Sequence, residues 1–195
     1  MVFMQGAAFA HPHIFVQAKL KLDFSDHRFS GVVQQWEFDE LFSAAASADY
    51  DSNKNGTLDP GEGKTLWDEV IQPWKKFNYF TNAILNFRGY APEKASNQSV
   101  FLKGETVVSE FKAEFNGPPA TNDWTMILVA VFDPANYVST EVNYQDIEIL
   151  HAEDLEVEYF DDDASTLPQF SGRPVETHAL YVRYRKKSWV AFQHT

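Results

Sequence analysis

Residues 51–62 read Asp-Ser-Asn-Lys-Asn-Gly-Thr-Leu-Asp-Pro-Gly-Glu, and their oxygen donors are spaced for a hard divalent cation. The run fits the EF-hand pattern at its constrained positions. Asp51, Asn53 and Asn55 stand at loop positions one, three and five, and Gly56 stands at six, where the chain turns sharply. Thr57 offers its backbone carbonyl at seven, Asp59 stands at nine, and Glu62 at twelve is long enough to bind through both oxygens. Leu58 at eight is the inward-pointing apolar residue. Calcium takes six to eight oxygens, and twelve consecutive residues supply them here. With only three side-chain carboxylates and Asn at positions three and five, the expected affinity is modest, about 10⁻⁶ to 10⁻³ M. The loop is single, whereas sensor EF-hands work in pairs, so a structural calcium is expected rather than a signalling one.

His11-Pro12-His13 is the second constellation. On a strand, residues two apart share a face, which puts both imidazoles on the face of Phe15 and Gln17, opposite the core. Two imidazoles on one exposed face form a half-site for nickel, cobalt, zinc or copper. With His11 at a mature amino terminus, its α-amine would add a third nitrogen. Pro12 has no amide N–H, which blocks the square-planar mode built on successive backbone nitrogens. A further ligand must come from elsewhere, and Asp39, Glu40, His151, Asp154 and His178 are the candidates. His27, in a turn, and His194, at the tail, read as surface residues. The alternation of acid and apolar residues at 153–158 reads as a strand with a solvated acidic face.

Other chemistry is missing from the sequence. There is no Cys, which removes disulfides, zinc–thiolate sites and cysteine nucleophiles. No Gly-x-Ser-x-Gly, phosphate-binding glycine loop or His-Glu-x-x-His occurs. The net charge of −12 argues against nucleic acid and anionic membranes as partners. No apolar stretch reaches the length of roughly 18 residues that crosses a bilayer. Ala8-Phe9-Ala10 is a small-x-small cleavage site, so residues 1–10 read as the remnant of a secretory signal. Cleavage after Ala10 would leave an exported protein beginning at His11.

The elements that must position these groups are mostly strands. Aromatic residues make up 15 % of the 195, including 17 Phe, a composition that suits sheets. From Ile14 to Phe24, apolar even positions alternate with Gln17, Lys19, Lys21 and Asp23, the pattern of a half-buried strand with those four in solvent. Ser25–Arg28 reads as a turn, and 29–38 as the hairpin partner. Asp39 can cap a helix to about Tyr50. After the loop, Pro60 opens a second helix with an apolar stripe at Leu66, Trp67, Val70, Ile71 and Trp74, which Pro73 kinks or ends. Further strands are expected at 79–88, 98–103, 105–116, 124–132, 137–144, 146–150, 154–160 and 179–187. The run 124–132 is apolar on both faces and is expected at the centre of a sheet. Asp161-Asp162-Asp163 reads as a turn, and 161–178 as a loop. The chain is therefore expected to be mainly β, a β-sandwich or open barrel, with residues 11–195 forming one β-rich domain. An EF-hand-like helix–loop–helix at about 39–76 would be inserted between its second and third strands.

Several of these segments, in order, resemble one bacterial family, the domain of unknown function 1007. They are His11-Pro12-His13-Ile14-Phe15-Val16, Trp36-Glu37-Phe38-Asp39-Glu40-Leu41-Phe42-Ser43, the loop at 51–62, Tyr79-Phe80-Thr81 and Phe132-Asp133-Pro134-Ala135-Asn136-Tyr137. The resemblance covers roughly residues 10–150. It implies a periplasmic component of an uncharacterised ABC-type transport system with no established enzymatic activity, linked to nickel, cobalt or zinc. On this sequence it marks His11 and His13 as transition-metal ligands. The family's aspartate at loop position five is Asn55 here. The leading expectation is thus a periplasmic, non-enzymatic accessory protein that captures a transition metal and delivers it to a membrane transporter, with calcium as a structural ion. The alternatives are a copper enzyme using the His11 chelate and a calcium-stabilised protein-interaction module.

Overall fold

The computed structural model describes residues 13–86, 88–165, 167 and 178–188. Strands β1 (Ile14–Asp23) and β2 (Gly31–Phe38) form the expected antiparallel hairpin around a short 3₁₀ turn at Ser25–His27. Helices α1 (Glu40–Tyr50) and α2 (Pro60–Leu66) follow, and then the strands resume. These are β3 (Thr81–Leu85), β4 (Arg88–Tyr90), β5 (Lys94–Lys103), β6 (Thr106–Glu114), β7 (Thr125–Val131), β8 (Val138–Val142), β9 (Glu148–Leu150), β10 (Leu155–Asp163) and β11 (His178–Lys186).

The strands make two sheets. The first has the order β5-β6-β2-β1-β8, with β9 continuing along β1 beyond β8, and the second has the order β10-β11-β7-β3-β4. The described strands form two separate sheets and no closed barrel, with a helical insertion, in keeping with the mainly β expectation. β7 lies at the centre of the second sheet, as its two-sided apolar sequence requires. Its Ile127, Val129 and Val131, with Leu180, Val182 and Tyr184 of β11, face Val16, Ala18, Leu20, Leu22 and Phe24 of the first sheet across one apolar core. A buried polar chain links the layers. Trp36 Nε1 donates to Gln34 Oε1 at 3.1 Å, and Gln34 Nε2 donates to Thr81 Oγ1 at 2.6 Å. Buried polar groups need such partners, which here fix how the two sheets face each other.

The helical insertion is part of that core. Leu58, Leu66, Trp67 and Ile71 are buried within it. Asp39 caps α1 by accepting from the Phe42 N–H at 3.0 Å. Ser43 Oγ accepts from the Val107 N–H at 3.0 Å and so ties α1 to β6. α2 approaches β5 so closely that a Cβ on Gly63 would lie 2.1 Å from the Val100 carbonyl oxygen.

Four expectations need correcting. The single exit helix is instead α2, a π turn at Trp67–Ile71 and a 3₁₀ segment at Gln72–Phe80, so the α-helix ends before Pro73 acts. The strand at 79–88 is shorter, since Asn78, Tyr79 and Phe80 all adopt left-handed φ of 49–58° and only β3 continues from them. Left-handed non-glycine residues cost on the order of 1 kcal/mol each. Packing offsets that cost: Tyr79 stacks on Trp67 at 5.9 Å and Phe80 on Trp36 at 5.7 Å. Asp161–Asp163 continue β10 rather than turning, because β11 pairs with them throughout. Asp23 is buried rather than solvated.

Candidate metal sites

The loop at 51–62 holds its shape through its own side chains. Gly56, with φ of 78°, makes the turn that favours glycine. Asp51 accepts from the backbone N–H groups of Asn55 at 3.1 Å and Gly56 at 2.8 Å. Asn53 Oδ1 accepts from the Asn55 N–H at 3.0 Å, and Asn55 Oδ1 accepts from the Thr57 N–H at 2.8 Å. Leu58 is buried in the core. Asp59 caps the start of α2, and Glu62 reaches back to accept from the Asp59 N–H at 3.0 Å. These bonds fold the twelve residues into one turn with the oxygens of Asp51, Asn53, Asn55 and Asp59 along it.

The donor chemistry fits calcium, all oxygen and three carboxylates, but Glu62 is committed elsewhere. Its Oε1 accepts from Ser52 Oγ at 2.6 Å, the Ser52 N–H at 3.0 Å and the Asn53 N–H at 3.4 Å. Those hydrogen bonds, with that of Ser52 Oγ foremost, hold its carboxyl below the usual range. Bidentate binding by Glu62 would require that it release Ser52. Among the described residues, no group of three or more His, Asp or Glu side chains converges to metal-holding geometry.

His13 is exposed at the start of β1, and its N–H donates to the Tyr137 carbonyl at 2.8 Å. Its ring packs against the Tyr137 ring at 5.1 Å. His11 lies outside the described residues. Of the candidate third ligands, Asp39 stands nearest along the sheet, but both its oxygens already accept backbone N–H groups, from Phe42 and from Phe15 at 2.7 Å. Glu40 opens α1 and is exposed. His151 sits near the far end of β1, roughly 30 Å from His13 at 3.3 Å per strand residue, where it contacts Asp23. Asp154 lines a groove with Asp26 and His27 beyond that far end, and His178 opens β11 in the other sheet. The structure therefore keeps His151 and Asp154 far from His13, and among the described residues His178 joins it in no group of three or more metal-holding side chains. His194 lies outside the described residues, and His27 is exposed in its turn, as expected.

The sequence reading passed over one charged cluster. Asp23 Oδ1 accepts from the Ser25 N–H at 2.9 Å and Ser25 Oγ at 2.7 Å, and contacts His151 Nδ1 at 2.9 Å. Asp23 Oδ2 accepts from Lys112 Nζ at 2.7 Å. An ionised carboxylate only accepts, so His151 carries its proton on Nδ1. Burial pushes the Asp23 carboxyl up, but the Lys112 ammonium with the Ser25 and His151 hydrogen bonds outweighs it and holds the group far below the usual range. Ser25 and Asp23 both address the same ring nitrogen, so the trio is not a relay that could activate the serine hydroxyl. It ties together the end of β1, the turn, β6 and the β9–β10 connection. Asp23 continues the polar alternation of Gln17, Lys19 and Lys21, so nothing in the sequence marked it as buried or named Lys112.

Comparison with family models gives a match to one described as Protein of unknown function (DUF1007), over residues 1–159. Comparison with curated proteins gives no match.

Proposed function

Because the chain belongs to the DUF1007 family, a family described by no activity, we propose its role from the sites themselves: an exported, non-enzymatic accessory protein for transport of a divalent transition metal, with calcium clamping the loop at 51–62. Asp51, Asn53, Asn55, Thr57, Asp59 and Glu62 hold the calcium. Nickel, cobalt or zinc is captured by His11 and His13 and passed to a membrane transporter. The observation that carries this reading is the self-ordered loop, in which Asp51, Asn53 and Asn55 each accept a backbone N–H from further along the turn. Such an arrangement leaves little ordering entropy to lose on binding. Calcium would join the end of α1 to the start of α2, whose Leu66 and the adjoining Trp67 are buried, so the ion would support the core rather than a surface appendage. The exposed position of His13 at the head of β1 is what supports capture from solution.

The test has two arms. Calcium at about a hundred times its Kd should stabilise by about 2.7 kcal/mol, which raises Tm by roughly 5–10 °C for a chain of this size, and Glu62→Gln should remove most of that rise. No calcium-dependent shift would refute the clamp. Protein beginning at His11 is then titrated with nickel, zinc and copper by calorimetry, beside a His11→Ala/His13→Ala variant. Equal, weak binding by both would sink the capture role. Copper-dependent oxidation of a reductant that needs the free His11 amine would replace it with an enzyme.

A further inference from the structure

We propose that the outward face around Phe15 and Tyr137 is the docking surface for a basic segment of another protein, one carrying apolar side chains between its lysines or arginines. This goes beyond the metal reading and does not require it. Three large apolar side chains stand exposed where β1 begins, β2 ends and α1 starts: Phe15 at 53 %, Leu41 at 83 % and Tyr137 at 48 %. Phe15 and Tyr137 are carried on rigid backbone. The Phe15 N–H is held by Asp39 at 2.7 Å, and the Tyr137 N–H by Asp133 at 2.8 Å. Aromatic side chains presented on fixed backbone are the usual anchors of protein interfaces.

Carboxylates flank Phe15. Glu37, Asp39 and Glu141 line an open groove of about 390 Å³ beside Phe15. Among the described residues, the ion pairs at this end both go to Glu37, from Lys19 and Lys103 at 3.4 Å. Asp39, Glu40 and Glu141 have no cationic partner among the described residues. An apolar centre inside a negative rim selects a positive partner and steers it. A second copy of this chain would bring the same acids face to face across a two-fold axis. An anionic membrane would meet a chain of net charge −12. The complementary occupant is therefore a basic, apolar-studded protein segment.

The test titrates a fluorescein-labelled peptide alternating lysine and leucine, and its glutamate–leucine counterpart, with the full chain. Anisotropy is read in calcium-containing buffer free of transition metal. The lysine peptide should bind and the glutamate peptide should not. Phe15→Ala with Glu141→Gln should weaken binding at least about tenfold, while Met126→Ala with Phe160→Ala, two exposed apolar side chains on the other sheet, should leave it unchanged. The substituted side chains are all exposed, and near-ultraviolet circular dichroism checks that each variant is folded. Binding of both peptides, no binding of the lysine peptide, or equal binding by the two double variants would overturn the proposal. So would a dimer seen by sedimentation that Phe15→Ala dissolves, since the face would then belong to a second copy. Failure here leaves metal capture standing, because no transition metal is present, and failure of metal capture leaves this result standing.

Discussion

Replacing Gly63 by alanine tests how the helical insertion is joined to the sandwich. A Cβ there would sit 2.1 Å from the Val100 carbonyl oxygen and 3.1 Å from its carbonyl carbon. Both are backbone atoms of β5, so no flexible side chain can swing away, and α2 must lift by about 1 Å to reach ordinary contact. Overpacking of this kind costs about 1–3 kcal/mol, and contact with backbone argues for the upper end. Alanine returns about 1 kcal/mol through helix propensity, which leaves a net loss of about 2 kcal/mol. For a chain of this length that is a fall in Tm of roughly 4–8 °C. Gly61 is the internal control. It lies two residues earlier in the same helix, and a Cβ there meets nothing within 4 Å, so Gly61→Ala should hold or raise Tm by a few degrees at most. Because α2 also carries Glu62, Gly63→Ala should weaken calcium binding as well, and Gly61→Ala should not. Thermal melts followed by tryptophan fluorescence, with and without calcium, read both effects. Should Gly63→Ala melt at or above the parent while Gly61→Ala behaves as expected, α2 does not rest on β5 and the clamp has no route into the core.

Three further outcomes follow from particular contacts. Ser52→Ala should tighten calcium binding a few-fold by calorimetry, since it frees Glu62 Oε1 from its shortest hydrogen bond at 2.6 Å; unchanged or weaker binding would mean that the two do not compete. Asp23→Asn should cost about 2–3 kcal/mol at neutral pH by urea unfolding, because it leaves the mostly buried Lys112 without its counter-charge. The Asp23 carboxyl is depressed in the fold, so its contribution is complete above the ordinary aspartate pKa and is lost as pH falls through the folded value. The gap between parent and variant should therefore narrow below about pH 4, and a gap independent of pH would refute the charged pairing. Thr81→Val, which keeps shape but leaves the buried Gln34 amide without its acceptor, should cost about 1–3 kcal/mol, and a neutral result would show that the inter-sheet chain carries little.

Local pattern was enough for much of this molecule. Period-two alternation named β1 and β2 and their hairpin, the Asp39 cap set the start of α1, and Gly56 marked the sharp turn of the loop at 51–62, because each is decided by neighbours in the chain. Two-sided apolarity placed β7 at the centre of a sheet for the same reason. What needed three dimensions were the contacts between distant segments. Lys112 neutralises Asp23 across 89 positions, so alternation alone assigned that carboxylate to solvent. The left-handed run Asn78–Phe80 exists because Trp67 and Trp36 grip the rings of Tyr79 and Phe80, which local propensity opposes. The separation of His151 from His13 follows from β9 pairing with the far end of β1, on which sequence spacing is silent. Sequence by itself determined the spacing of oxygen donors along one short loop, since that spacing is set by neighbours in the chain. Only the tertiary structure decided that the loop feeds into the core and that His151 lies at the opposite end of β1 from His13, because burial and long-range proximity are properties of packed sheets.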